Sequence, residues 1–492
     1  MWGYFMKEIK EFYKYLNKIN ELQYVIGILD WELKVNIPND TVSEINDLLG
    51  KYNVDLFKLK TSKKYGGLLK KIICTKYFEK LGLAERKHIK KLYKEYKNQV
   101  CIPIKFYKQY LKIGEEVSQK FDEAVKKNDG SIVLPYLDKM VEETKKMYAF
   151  RDDIKSVYDA MLDDFEEGMT TKEIDELFSK IKKTLISFVK KNKSINRELK
   201  YNFTDKQLKD AAILLLSYIG FDFDKGDAAV YQNAFTTRLG FKDVRITFNN
   251  NENPCCYAST VIHEGGHALV EANIGPEYLK YASVSLASLT GLHESQSRFF
   301  ENILGRNKNF WIPIYPKLKK ILKLDLTLDE FVSELNTIKP GMVRLDADEV
   351  SYCLHIIIRY EIERDLFQNK ISTYDIPRVW KKLYKEYLDV DVIDDANGFL
   401  QDVHWSQGNF GYFPSYLLGT IYDGMLIEAV ERELGSIDDI LANGNVKVIT
   451  EYLKDNIYKY GGAFSSVELL SKLCGERISS KYILDYFKGK YI

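Results

Sequence analysis

The stretch His263-Glu264-Gly265-Gly266-His267 constrains this chain more than any other. Residues four apart on a helix lie on one face, so both imidazoles can reach a single ion over bonds of about 2.0–2.1 Å. Glu264 is rotated out of that set yet close enough to hold a water beside the ion. The spacing predicts a helix carrying half of a zinc site, with Glu264 as the general base of a metal-assisted hydrolysis. The rival reading is a buried helix with two core histidines. It is weakened by the presence of only six histidines in 492 residues.

Gly265 and Gly266 each cost about 1 kcal/mol against alanine inside a helix. Flanking Val261, Ile262, Ala268, Leu269 and Val270 would bury that helix. The glycines therefore predict a close neighbour at its backbone, either another helix or a substrate chain. A zinc hydrolase also needs a third protein ligand and an open fourth position. Glu271 shares the histidine face but lies about 9 Å further along the axis than their midpoint, which suits orienting a histidine better than ligation. Glu294, in His293-Glu294-Ser295-Gln296-Ser297, can arrive from a separate helix and is the expected third ligand. Neighbouring His293 points about 100° away from it.

Composition narrows the setting. Only ten prolines are present, 45% of residues are hydrophobic, and no linker-like tract interrupts the chain. One mostly helical unit over residues 1–492, with two lobes around a cleft as an option, is expected. The formal charge of +1 argues against nucleic-acid binding. No signal-like start or spanning apolar run is visible, which predicts a cytoplasmic protein without a membrane role. Cys74, Cys101, Cys255, Cys256, Cys353 and Cys474 form no Cys-x-x-Cys pair and read as thiols. The Lys-rich span 58–97 reads as amphipathic helices with solvated faces. Its sharper alternative is a basic face over the cleft that attracts acidic groups.

Helical periodicity runs from Met6 to about Leu49, with breaks expected near Asp30-Trp31 and Pro38. It continues through 58–97, Ile104–Lys126, Leu134–Leu162 and Asp205–Ile219. Thr170 with Glu173 makes a capping box ahead of the stripe Ile174, Leu177, Phe178, Ile181, Leu185. The strong strand signal is Phe235–Phe248, read as a small hairpin or sheet whose edge could hold an extended substrate. Later helices are expected at Thr260–Ile274, Leu292–Leu304, Leu328–Leu335, Asp348–Phe367 and near Val467–Leu473. A Gly- and aromatic-rich corner follows His404-Trp405.

Peptide hydrolysis at zinc needs donors for the developing oxyanion, and His404 and Tyr412 in that corner are candidates. A carboxypeptidase further needs a cation for the free terminal carboxylate, for which Arg344 and Arg245 are candidates. Each arginine has carboxylates beside it in sequence, so a structural ion pair competes, most strongly for Arg245 next to Asp243.

Several motifs in order resemble the carboxypeptidase Taq family of zinc metallocarboxypeptidases. They are Asp243-Val244-Arg245-Ile246-Thr247, His263 to His267, His293 to Ser297, Val343-Arg344-Leu345-Asp346-Ala347-Asp348-Glu349, Gly398-Phe399-Leu400-Gln401-Asp402-Val403-His404-Trp405, and Gly411-Tyr412-Phe413-Pro414-Ser415-Tyr416. The resemblance implies a mainly α, cleft-bearing fold akin to neurolysin and angiotensin-converting enzyme, with a small sheet beside the metal helix. It implies removal of single residues from peptide C-termini, with proline excluded. His263, His267 and Glu294 would bind zinc, or cobalt in its place, and Glu264 would be base and acid. His404 and Tyr412 would act in catalysis, Arg344, Arg245 and Gln401 would meet the substrate, and a homodimer is common. A zinc endopeptidase on the same fold is the rival. Asn233, Val270 and Tyr458 depart from the family pattern, where histidine, tyrosine and histidine are usual.

Overall fold

The computed structural model describes residues 2–35, 38–152, 154–191, 199–240, 242–279 and 289–491. Its elements are mainly α-helices, with one three-stranded sheet. The first helix, Trp2–Val35, runs unbroken through Asp30-Trp31, where a break was expected. Nothing there removes a backbone donor, and Trp31 packs edge-on to Tyr231 and Phe235 at the sheet. Helices Val42–Lys60, Lys63–Ile73 and Leu83–Val100 follow. Phe5, Ile9, Phe12, Leu16 and Ile19 pack with Tyr65, Leu69, Ile72, Phe78, Ile89 and Leu92 into a core separate from the larger one.

The Lys-rich span contributes Lys60, Lys91 and Lys94 to a cavity of about 430 Å³, with Arg151 opposite. Glu95, Asp163, Asp164 and Glu167 line the same cavity, and Lys94 bridges Asp163 and Glu167 at 2.8 Å each. Four cations thus face four acids. Within that cavity the charges balance.

Three strands lie in the order β1 (Gly226–Val230), β3 (Val244–Phe248), β2 (Phe235–Arg238). β2 and β3 form the expected antiparallel hairpin, while β1 pairs in parallel. β1 carries no period-2 signal because Gly226-Asp227-Ala228-Ala229 offers no large apolar side chain to alternate. Thr247 Oγ1 donates to the Asn233 carbonyl, so the departure at Asn233 enters this hairpin through its backbone.

The motif helix, Pro254–Ala272, starts earlier than expected because Asn253 caps the amides of Cys255 and Cys256, with Pro254 in the first turn. The helix Thr290–Arg298 crosses it and widens into a π-helical turn at Phe299–Leu304. Of the stretch 261–301, residues 280–288 lie outside those described. A Cβ at Gly266 would stand 2.6 Å from both Gln296 O and Ser297 Cα. At Gly265 it would meet the side-chain ends of Ile219 and Leu216, at 2.5 and 2.7 Å. The close neighbours inferred from the two glycines are therefore helices.

The other expected helices appear with end shifts of a few residues, and the span Leu134–Leu162 divides into Leu134–Ala149 and Val157–Phe165. Glu173 accepts from Thr170 N and Oγ1, completing the capping box. Among the described residues, no helix is long and apolar enough to cross a membrane.

Backbone cannot yield as a side-chain tip can, so the two glycines should differ. Gly266→Ala is expected to destabilise the fold by about 1–3 kcal/mol despite alanine's better helix propensity, and to weaken metal binding. Gly265→Ala should cost less. Denaturant melts with metal analysis check both; equal, small effects would contradict the packing argument.

Candidate metal centre

His263, His267 and Glu294 each bring one ligand atom within 4.8 Å of the others. His267 Nε2 stands 3.5 Å from Glu294 Oε2. His263 Nδ1 is bonded to Glu301 Oε2 at 2.8 Å, which holds that proton and turns Nε2 to the centre. Two nitrogens and a carboxylate oxygen are a donor set that suits a catalytic divalent ion. The π-helical turn delivers Glu301, whose role was not read from the sequence. Its position seven beyond Glu294, two helical turns on, was the available signal.

Electrostatics fit a cation. Burial opposes ionisation of Glu294, yet the His267 hydrogen bond and the charges of His263 and Arg298 lower its pKa. Burial likewise opposes Glu301, which the His263 hydrogen bond and charge, helped by Arg298 and Arg306, bring down to about 2. For His267, burial is the main cause of a lowered pKa, so the ring is neutral and ready to ligate.

His293 turns away from the ligand set. Its Nε2 sits 3.3 Å from Glu271 Oε1, and its ring stacks on His267 at 4.6 Å between centroids. Glu271 therefore contacts His293 and, at 2.6 Å, Arg238. The other two departures share one spot. Val270 and Tyr458 line a cavity of about 20 Å³ beside His293, and Tyr458 donates to Gln296 Oε1 at 3.0 Å. A space of that size holds one water.

Glu264 is buried, and Thr236 of β2 donates to its Oε2 at 2.7 Å and to its carbonyl at 3.0 Å. Thr236 fixes the carboxylate from the sheet edge, a contact invisible at sequence level. Arg245 is not brought to this group. It alternates with buried Ile246, the partner of Thr236 in register, and so occupies the other sheet face. There it makes a two-pronged bond to Asp243, at 2.5 and 2.9 Å.

A second cluster adjoins the ligands. Tyr352, Tyr412 and Tyr416 all feel the charge of Glu294, and burial is the main reason that each phenol is held protonated. His404 Nε2 lies 3.2 Å from the Tyr416 hydroxyl, and burial drops its pKa to about 4, leaving a neutral imidazole. Arg344 stands 5.1 Å from the Tyr416 ring. Its Nε and Nη2 donate to Asp402 Oδ1 at 2.9 and 2.7 Å, and its Nη1 to the Tyr352 hydroxyl at 3.1 Å. Asp402 also takes Arg359 Nε at 2.7 Å. Gln401, expected at the substrate, has both amide ends engaged by the protein: Oε1 accepts from Arg344 N, and Nε2 donates to Met342 O and Gly398 O.

Two outcomes follow for metal binding. Burial pulls His263 down, but the Glu301 hydrogen bond and the charges of Glu294 and Glu301 lift its pKa in the metal-free site to about 9. An ion must displace that proton, so affinity should rise about tenfold per pH unit from 7 towards 9 and level off above. Calorimetry in buffers of different ionisation heat should count close to one proton released at pH 7. Glu301→Gln should weaken binding by about 10–100-fold and flatten that slope; an unchanged slope would remove Glu301 from the site.

The chain matches the profile of the carboxypeptidase Taq (M32) metallopeptidase family over residues 11–491. It is 34% identical to carboxypeptidase 1 of Bacillus subtilis over 98% of this chain and 97% of that one. It is 29% identical to thermostable carboxypeptidase 1 of Pyrococcus furiosus, covering 99% and 98%. The solved structure of Trypanosoma cruzi metallocarboxypeptidase 1 superposes with a TM-score of 0.91 at 28% identity, over 99% of both chains. Profile, relatives and a converging ligand triad agree: the chain belongs to the carboxypeptidase Taq (M32) family and is a metallocarboxypeptidase.

Proposed function

We propose that the protein removes single residues from peptide C-termini, with zinc, or cobalt in its place, held by His263, His267 and Glu294. The observation carrying the exopeptidase reading is the charge at Arg344. Two guanidiniums, Arg344 and Arg359, share the single carboxylate of Asp402, so Arg344 has only part of one counter-ion, beside the tyrosines that face Glu294. A peptide's terminal carboxylate is the natural counter-ion.

When bound, the ion would supply Lewis acidity and lower the pKa of a coordinated water. Glu264, held by Thr236, takes the water's proton as general base and passes it to the leaving amine. Tyr412, kept as a phenol by burial, and neutral His404 donate to the developing oxyanion. Arg344 meets the free carboxylate through its Nη1 edge, together with the Tyr352 hydroxyl it already touches. Gln401 and Asp402 hold Arg344 in place. Arg245, bound to Asp243 on the far sheet face, has no part in this reading. The family resemblance further supports broad specificity excluding proline, a homodimer, a cytoplasmic setting, and a chain working as one unit.

Glu264→Gln is expected to lower kcat by several orders of magnitude, about 10³-fold or more, with metal content unchanged. Near-normal turnover would remove it as the base. Mass spectrometry of one peptide as free acid and as C-terminal amide, with Zn²⁺ or Co²⁺, checks the anchor. Stepwise loss from the free acid alone is the expected result; internal cuts in both forms would favour the endopeptidase reading. Arg344→Ala should raise KM for the free acid more than for any residual amide cleavage.

A further inference from the structure

His404 and Tyr412 sit at the two ends of a turn with little regular structure, in which Gly408 and Gly411 adopt positive φ of 74° and 86°. Its internal bonds are local: Gln407 N to Val403 O, Gly408 N to Trp405 O, and Asn409 N to His404 O. Such a segment holds two donors in register only if both ends are fixed to something rigid. Tyr416 touches both His404 and Tyr412 themselves, and the residues beside them share an acceptor on a second helix. Glu363, with 0% exposure in the buried helix Glu349–Phe367, accepts the Trp405 indole N–H on Oε1 at 2.6 Å. Its Oε2 accepts the Gly411 amide at 2.9 Å and the Tyr158 hydroxyl at 2.8 Å. Trp405 and Gly411 are the immediate neighbours of His404 and Tyr412.

We propose that Glu363 is a positioning residue for the reaction: one buried carboxylate ties both ends of the 404–412 turn and so sets His404 and Tyr412 in place. The proposal rests on the oxyanion-side roles given above to those two residues. Its chemistry is specific to a carboxylate. Three donors converge on Glu363, and an ionised carboxylate accepts all of them, whereas an amide brings N–H groups of its own against one of them. Gly411 is suited to the tie on two counts. Its φ is one that L side chains rarely adopt, and a Cβ there would stand 3.0 Å from Met161 Cβ and 3.1 Å from Met161 C. Burial raises the pKa of Glu363 to about 7, opposed by the Trp405, Gly411 and Tyr158 bonds and by the charge of Arg359 on its own helix.

The test compares Glu363→Gln, Tyr158→Phe, Tyr412→Phe and the double variant Glu363→Gln/Tyr412→Phe in the metal-loaded enzyme. Glu363→Gln is expected to lower kcat about 10–100-fold, with KM and metal content within about twofold. The indole N–H resonance of Trp405, assigned by its loss in Trp405→Phe, should shift in the same variant. Tyr158→Phe removes the one donor that does not belong to the turn and should keep kcat within about twofold, even if it melts lower. In the double variant the two losses should be less than multiplicative, because both act through Tyr412. Unchanged kcat in Glu363→Gln while Tyr412→Phe is impaired would overturn the inference, as would fully multiplicative losses. Normal kcat in Tyr412→Phe would instead overturn the role given to Tyr412, and the inference with it. Should Glu363→Gln fail to fold, Trp405→Phe carries the test: a kcat loss of about tenfold at unchanged KM is expected, and normal kcat would overturn the proposal.

Discussion

The site depends on how closely two helix backbones approach. Gly266 lies against the Gln296 carbonyl and the Ser297 Cα, so the Thr290–Arg298 helix sits nearer the motif helix than any residue with a Cβ would allow. A third helix presses in by the same device, since a Cβ at Gly419 of Phe413–Leu434 would stand 2.9 Å from Ser295 N. The helix that carries Glu294 is therefore held by two glycine contacts. This explains how a carboxylate from a separate element reaches within 3.5 Å of His267 without a long or flexible tether. Interhelix distances of about 8–10 Å are usual, and glycine is what permits the lower end of that range.

Around that packing, carboxylates do complementary work. Glu301 fixes the tautomer of His263, Thr236 fixes the orientation of Glu264, and Arg238 holds Glu271 beside His293. Each buried acid has a named donor or cation, as a low-dielectric site requires. In the metal-free protein the His263–Glu301 pair is an ion pair at neutral pH, because the histidine pKa is raised to about 9 and that of the glutamate is lowered to about 2. The stability from the raised histidine is complete below its ordinary value of 6.5 and is lost as pH rises through 9. A bound ion would put a positive charge in the same field that the proton occupies, so the network suits a cation.

What could be read from sequence divides along the range of the interaction. The histidine pair, the glutamate between them and the capping box at Thr170 rest on spacings of one to four residues, which helical geometry converts directly into proximity. Glu294 was reachable by eliminating its neighbours. Thr236 and Glu264 are 28 residues apart, and Arg344 and Asp402 are 58 apart, so only the fold decides those pairings. Arg344 has Asp346 and Asp348 close by in sequence, yet it pairs with neither. Asp348 instead caps the next helix through Val350 N and Ser351 N. Arg245, by contrast, pairs with the neighbour that its sequence suggested. The uninterrupted first helix and strand β1 were missed because tertiary contacts, through Trp31 and the parallel pairing to β3, outweigh weak local signals.

The helix Glu349–Phe367 shows why the surroundings of Arg344, His404 and Tyr412 were the harder part. It is buried on nearly all sides and carries Tyr352, Arg359 and Glu363 on related turns. Tyr352 accepts from Arg344, Arg359 pairs with Asp402, and Glu363 holds Trp405 and Gly411. Read alone, such residues in an apolar helix look like isolated polar interruptions. In the fold they form a row gripping the segment 401–412 and the Arg344 turn, so that one rigid element orders Arg344, His404 and Tyr412 at once. Asp402 is the hinge of that arrangement. By pairing with two guanidiniums it immobilises Arg344 without cancelling the local positive charge. A guanidinium left unpaired in so buried a site would destabilise the fold, while one held by a carboxylate of its own would lose most of its field. Sharing one carboxylate between two arginines meets both demands.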